Sequence, residues 1–155
     1  MFSLDNTPPQ LHDTTNLHIQ NFTDSLQRLA LELPANQRII SSLPKVFCCS
    51  EFVAQICTRQ PHSLLELINS GDLFSAEVRG SYTNALSLNT MQNDAQLMKI
   101  LRQFRNKQML RIAWRDLAEW SNLDETLLDL TALAESCIQF TLDYLYQQAC
   151  NKYGS

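Results

Sequence analysis

Glycine is scarce in this chain, with three in 155 residues, and proline contributes five more. A sequence so poor in the residues that punctuate tight turns has little with which to build a many-stranded sheet. No stretch alternates apolar and polar residues, no Asn-Gly or Asp-Gly pair marks a hairpin, and no internal repeat is visible. No apolar run approaches the roughly 20 residues that cross a bilayer. The N-terminal Met1-Phe2-Ser3-Leu4-Asp5 has neither the basic nor the apolar region of a signal peptide, so the cytoplasm is the expected compartment. Positive charge is also short: 12 Lys and Arg stand against 16 Asp and Glu, a formal net charge of −4. That balance argues against nucleic-acid binding by the chain as a whole.

Cysteine is present but in no pattern that carries chemistry. There are five, Cys48, Cys49, Cys57, Cys137 and Cys150, an odd number with no Cys-x-x-Cys pair. His12, His18 and His62 are scattered, so no zinc spacing emerges. Cys49 and Cys57 fall about two turns apart on one apolar helical face, which predicts buried free thiols, with a nickel or zinc role as the alternative.

What remains is a globular composition, 45% apolar and 18% charged, in a length suited to one domain with one substantial core. The expected architecture is all-α, a bundle of five to seven helices ending in a long antiparallel helix hairpin. Residues 1–13, with Pro8-Pro9, read as a flexible leader, and residues 14–155 as a single helical domain. Asp13 or Thr14 can cap a first helix whose apolar positions Ile19, Phe22, Leu26, Leu29 and Leu33 follow a spacing of three and four, ended by Pro34. A short helical turn over Gln37 to Ser41 can precede a second helix beginning near Pro44. Its inward face is expected to carry Val46, Cys49, Phe52, Val53, Ile56 and Cys57. Pro61 opens a further helix, with Leu64, Leu65 and Ile68 inward, and Asn69-Ser70-Gly71 stops it. Between Asp72 and Asn93 the pattern is weaker: Leu73, Phe74 and Val78 fit one helical turn, and Tyr82, Ala85, Leu86 and Leu88 another. Asn89 to Asn93 reads as a loop.

Two long helices are expected to follow, the first capped by Asn93 or Asp94, the second by Asn122 with Glu125 three places on. On the second, Leu127, Leu130, Ala134, Ile138, Leu142, Leu145 and Ala149 share a stripe that predicts docking along its whole length. Its acids Asp124, Glu125, Asp129, Glu135 and Asp143 then turn to water. The first of the pair holds six of the chain's basic residues, Lys99, Arg102, Arg105, Lys107, Arg111 and Arg115, and no Gly or Pro. Its apolar positions do not form one stripe. Leu97, Ile100, Leu101 and Phe104 share one face, while Met109, Leu110, Ala113, Trp114, Leu117 and Trp120 lie nearly opposite. Without a helix breaker at the changeover, one straight helix shared by two packing groups is expected.

Lys107, Arg111 and Arg115 stack at intervals of four on one face of that helix. The ordinary reading is a solvated face, with Asp116 and Glu119 near enough to relieve Arg115. The functional reading is a docking surface for an acidic partner or a phosphate. It requires the three to be exposed and free of acids from their own chain.

The run Leu101-Arg102-Gln103-Phe104-Arg105-Asn106-Lys107-Gln108-Met109-Leu110-Arg111-Ile112-Ala113-Trp114-Arg115-Asp116-Leu117 closely resembles the N-terminal half of glutamine synthetase adenylyltransferase, a bifunctional adenylylating and adenylyl-removing enzyme. The matching positions are Arg102, Phe104, Arg105, Lys107, Met109, Arg111, Ile112, Ala113, Trp114, Arg115 and Asp116. Leu127 to Tyr146 is similar to the helix that follows in that family. Ser50-Glu51-Phe52-Val53-Ala54 and Arg59-Gln60-Pro61-His62-Ser63-Leu64-Leu65 are similar to earlier segments, in the same order. The resemblance spans residues 40 to 150.

It implies a parent with two nucleotidyltransferase domains that use Mg²⁺ and ATP or ADP. One removes AMP from glutamine synthetase by phosphorolysis and the other attaches it, under control of the PII signal protein. The implied catalytic element is a Gly-Ser turn followed by a strand bearing Asp-x-Asp, whose carboxylates hold metal. No Asp-x-Asp occurs here, and Gly154-Ser155 is the final dipeptide. The resemblance therefore carries over no catalytic, metal or cofactor residue. It implies a helical part without its catalytic domain, inert alone and suited to scaffolding or partner binding. A non-enzymatic helical interaction module is the alternative. Weak self-association through an uncovered face of the hairpin is also expected.

Overall fold

A computed structural model of the chain describes residues 2–5, 7–76, 80–87 and 93–154. Among them are seven α-helices and no strand: α1 (His12–Arg28), α2 (Gln37–Cys49), α3 (Glu51–Arg59), α4 (Pro61–Ser70), α5 (Ser81–Ser87), α6 (Asp94–Leu117) and α7 (Leu123–Tyr153). Short 3₁₀ turns occupy Pro9–Leu11 and Asp72–Phe74. Upstream of α1, Thr7 is buried and bonds through its hydroxyl to the Leu4 carbonyl, while Phe2 packs against the core.

α1 ends earlier than Pro34. The Ala30 and Leu31 amides bond back to the carbonyls of Gln27 and Leu26, with Ala30 in the left-handed region at φ 52°. This is a Schellman stop, here without the usual glycine. Leu29 is consequently exposed, and Leu31 and Leu33 reach the core from non-helical backbone.

The second expected helix divides differently from its reading above. α2 starts at Gln37, capped by the Asn36 side chain on the amides of Arg38 and Ile39, and Pro44 sits inside it. The proline removes one ladder donor and is held there by burial of Leu43, Pro44, Val46 and Phe47. The break comes at Ser50, which is extended and whose hydroxyl caps α3 at the Val53 amide. α2 and α3 then diverge by 118°. That turn carries Cys49 and Phe52 out to the surface, so they leave the predicted inward face, while Val53, Ile56 and Cys57 stay buried. α4 starts on Pro61 and stops on Gly71, left-handed at φ 84°, as its sequence signals require.

Leu73 is buried in its 3₁₀ turn, but Ser75 is extended, so Leu73 and Phe74 belong to no longer helix. Tyr82 and Leu86 are the buried positions of α5, and Ala85 is exposed. Val78, Leu88 and the loop expected at 89–92 lie outside the described residues.

The main core joins α1 to α4 with the second half of α6. Phe22, Phe47 and Trp114 form its centre through two edge-to-face contacts, with centroids 5.6 and 6.2 Å apart. The Trp114 indole N–H donates to the buried Ser42 hydroxyl at 3.1 Å. A smaller cluster gathers Tyr82, Ile112 and Leu133, with Phe104, Met109, Leu130 and Cys137 around them. α6 runs unbroken between the two, the shared spine its split apolar pattern predicts, except that Met109, expected beside Leu110 and Trp114, packs with Phe104 in the smaller cluster.

Candidate functional site

Two of the three bases in the α6 row lie inside the protein, and Lys107 sits at its edge. Arg111 and Arg115 are 3% and 4% exposed, and each of the three bases meets an acid of the same chain. Lys107 pairs with Glu66 of α4 at 2.7 Å, Arg111 with Asp129 of α7 at 2.7 Å, and Arg115 with Glu125 of α7 at 2.5 Å. The expectation of an exposed row free of acids is therefore wrong, and with it falls the reason to read Lys107, Arg111 and Arg115 as a docking surface. Asp116 and Glu119 do not relieve Arg115 either. Asp116 accepts from the Thr126 hydroxyl, and Glu119 pairs with Lys45 at 2.6 Å.

Arg111 uses its donors on two further segments, the 72–75 connector and α5. Its Nε donates to the Asp72 carbonyl at 3.0 Å, one Nη to the Ser75 carbonyl at 2.6 Å, and the other to Asp129 and the Tyr82 hydroxyl. The Tyr82 hydroxyl donates in turn to the second Asp129 oxygen at 2.7 Å. Arg115 donates to the Leu73 carbonyl at 3.2 Å and, beyond Glu125, to the Trp120 carbonyl at 3.4 Å. The two guanidiniums thus bond three carbonyls of the 72–75 connector, of which that of Asp72 also accepts from the Ser75 amide. The Nε of Arg115 is the one buried side-chain donor left unpartnered among the described residues.

The same contacts set the rotation of α7. Asp129, Leu133, Ser136 and Tyr144 are its buried positions. Thr83 and Ser136 share a hydrogen bond of 3.0 Å, and the Tyr144 hydroxyl donates to Asp94 at 2.8 Å. Pairings of 116 with 126, 111 with 129 and 94 with 144 run in opposite order along α6 and α7. The stripe predicted to dock α7 is turned to solvent instead: Leu127, Ala134, Ile138, Leu142, Leu145 and Ala149 are exposed, and Leu130 alone is half-buried. Docking that stripe would strand Arg111 without its carboxylate, and a buried cation stripped of its partner costs about 3–5 kcal/mol. For the same reason Asp129 and Glu125 leave the set of acids expected to face water.

Beside this junction, α5 and α7 border an open groove of 1280 Å³ whose charged lining is acidic: Asp124, Glu125, Asp129 and Glu135. That field is opposite to what a nucleotide phosphate needs. A second, smaller hollow of 350 Å³ lies over Gln103, Phe104 and the Lys107–Glu66 pair. Among the described residues no cluster of His, Cys, Asp and Glu has the arrangement of a metal site. Burial pushes the Cys57 thiol well above its usual range, and Cys49 and Cys137 are raised for the same leading reason. The hydrogen bond to Asp94 raises Tyr144, and the bond from Lys45 lowers Glu119.

Arg38, on the first turn of α2, lies 4.4 Å from the Trp120 ring centroid and 5.3 Å from that of Phe74, closing the connector against the α6–α7 turn. Nothing in the sequence singles Arg38 out, and Tyr82 is equally silent. Each acts through partners distant in the chain.

Helices, connector and ion pairs together define a helical scaffold whose buried charges hold its own elements in place. The chain belongs to the glutamate-ammonia ligase adenylyltransferase family, whose model matches residues 40–155. It is 36% identical over 154 residues to the bifunctional glutamine synthetase adenylyltransferase/adenylyl-removing enzyme of Nitrosococcus oceani, an alignment covering 96% of this chain and 16% of that protein. The enzymes of the same name from Shewanella loihica and Thioalkalivibrio sulfidiphilus are 35% and 41% identical, over 96% and 73% of this chain and 15% and 12% of theirs. The chain therefore spans a small part of the length of the curated relatives it matches. No solved structure matches it. Among the described residues, no single helix is long and apolar enough to cross a membrane.

Proposed function

We propose that this chain is the helical scaffold of an adenylyl-removing unit, working in the bacterial cytoplasm. In the whole enzyme it would support a catalytic domain that takes AMP off glutamine synthetase, using Mg²⁺ and yielding ADP. Glutamine synthetase and the PII signal protein are the partners this reading implies for the parent. The chain itself holds no catalytic residue, metal or nucleotide in this account.

One observation carries the reading. The residues that mark the family are the ones that build the junction: Arg111 and Arg115 clamp the connector, Ile112 and Trp114 fill the two clusters, and Asp116 meets the start of α7. Side chains so engaged in internal contacts serve architecture. The acidic lining of the α5–α7 groove adds to it, because it disfavours ATP or ADP there.

The test is direct. Incubating this chain with adenylylated glutamine synthetase, phosphate and Mg²⁺ should release no ADP above a blank. Measurable phosphorolysis would end the scaffold reading.

The alternative, a non-enzymatic interaction module, gains support from the exposed apolar stripe of α7. It predicts a stable complex with a partner other than the parent's own domains.

A further inference from the structure

The break at Ser50 has a second effect, at the end of α2. By carrying Cys49 out of the core it leaves two adjacent thiols at a corner, Cys49 exposed and Cys48 half-buried. The two stand close enough to share a hydrogen bond. The remaining cysteines offer no second pair. Cys57 is fully buried, and Cys137 and Cys150 are about 20 Å apart along α7.

From this we infer that Cys48 and Cys49 form a dithiol site for a monosubstituted trivalent arsenical, R–As(OH)₂, held by both sulfurs at once. The step balances without an oxidant. Each thiol forms an As–S bond as an As–O bond breaks, and its proton leaves with the hydroxyl as water. Arsenic stays trivalent, and two waters are the only by-product.

Geometry and protonation select this ligand over the others that thiols meet. Adjacent Cα atoms across a trans peptide are about 3.8 Å apart, short of the roughly 4.4–6.8 Å that an unstrained disulfide spans. Closing a disulfide between neighbours would also distort the last turn of α2, where the Ser50 amide donates to the Val46 carbonyl at 3.0 Å. A bridging arsenic holds the sulfurs farther apart than a direct S–S bond does, so that turn survives. Burial and the adjacent Cys48 raise the Cys49 thiol, against the pull of Lys45, and keep it protonated at neutral pH. Peroxides and disulfides are attacked by thiolate, and zinc or nickel is held by it, so a protonated pair suits neither. An arsenical hydroxide accepts the thiol proton itself. Zinc further asks for four ligands, and among the described residues no third His, Cys, Asp or Glu joins the pair. An arsenic that already carries one organic group is complete with two sulfurs. The inference does not depend on the scaffold reading, since it uses the α2–α3 corner alone.

Phenylarsine oxide, added in equimolar amount to the reduced intact chain, is the probe. Native mass spectrometry should show one phenylarsenic per chain, retained in excess 2-mercaptoethanol and stripped by 2,3-dimercaptopropanol. After cleavage at glutamate, the added mass should fall on fragment 33–51, which parts the pair from Cys57. Cys48→Ser and Cys49→Ser should each lose the adduct that resists the monothiol, with helical circular dichroism unchanged. The double variant Cys137→Ser, Cys150→Ser should keep it. A chain that stays unmodified, an adduct that 2-mercaptoethanol removes, or one that maps to another fragment would overturn the proposal. An adduct that survives the loss of either sulfur would overturn it equally.

Discussion

At the level of single residues, the decisive pairings join positions far apart in the chain. Asp129 is 18 residues from Arg111, and Glu66 is 41 from Lys107. A spacing of four puts three bases on one face of a helix, and that much was legible. Whether the face meets water or acids depends on how α7 and α4 pack, which no local pattern states. Cys57 shows the complementary case, a buried thiol inferred correctly because its own neighbours Val53 and Ile56 share its fate. Burial holds Cys57 protonated in the folded chain, while in the unfolded chain it ionises near pH 9. A raised folded-state value means the stabilisation is intact below that pH and is lost as pH rises. Unfolding stability should therefore drop by about 1.2 kcal/mol between pH 9.5 and 10.5 from this one group. Urea titrations at the two pH values should show Cys57→Ala with that much less dependence. An unchanged slope in the variant would mean the thiol titrates alike in both states.

At the level of elements, the starts of α6 and α7 were readable from their capping side chains, while the caps of α2 and α3, Asn36 and Ser50, were not. The Asn93 side chain accepts from the Gln96 amide and that of Asn122 from the Glu125 amide, each at 2.9 Å. Asn122→Ala should cost about 1 kcal/mol in urea unfolding, and Asn122→Asp much less. Equal losses for both would argue that the amide of Asn122, and not its cap, matters. Prolines misled where tertiary packing overrode them: Pro44 is buried within α2, and Ser50, a less conspicuous residue, makes the break. α7 misled for a related reason. Its most regular apolar stripe was the obvious inward face, yet the polar groups of α5 and α6 fixed its rotation, through Tyr82, Thr83, Arg111 and Asp94. Hydrophobic periodicity finds an amphipathic helix. It does not say which of two neighbours the apolar side is meant for.

At the level of the whole molecule, α6 links a large core to a small one, and the buried arginines tie both to the 72–75 connector and to α7. The all-α class and the shared spine followed from the absence of sheet signals and from the split apolar pattern. The central claim is that the family-marking bases are structural. Its most direct measurement is a double-mutant cycle at Arg111 and Asp129, read by urea unfolding, with Lys107→Ala as the exposed control. Arg111→Met and Asp129→Leu should each lose about 3–5 kcal/mol, and the double variant should recover much of that loss. Lys107→Ala should lose less than about 1 kcal/mol. Single substitutions at Arg111 and Asp129 that each cost under about 0.5 kcal/mol and simply add would contradict the account, because that is how solvated charges on an outer surface behave.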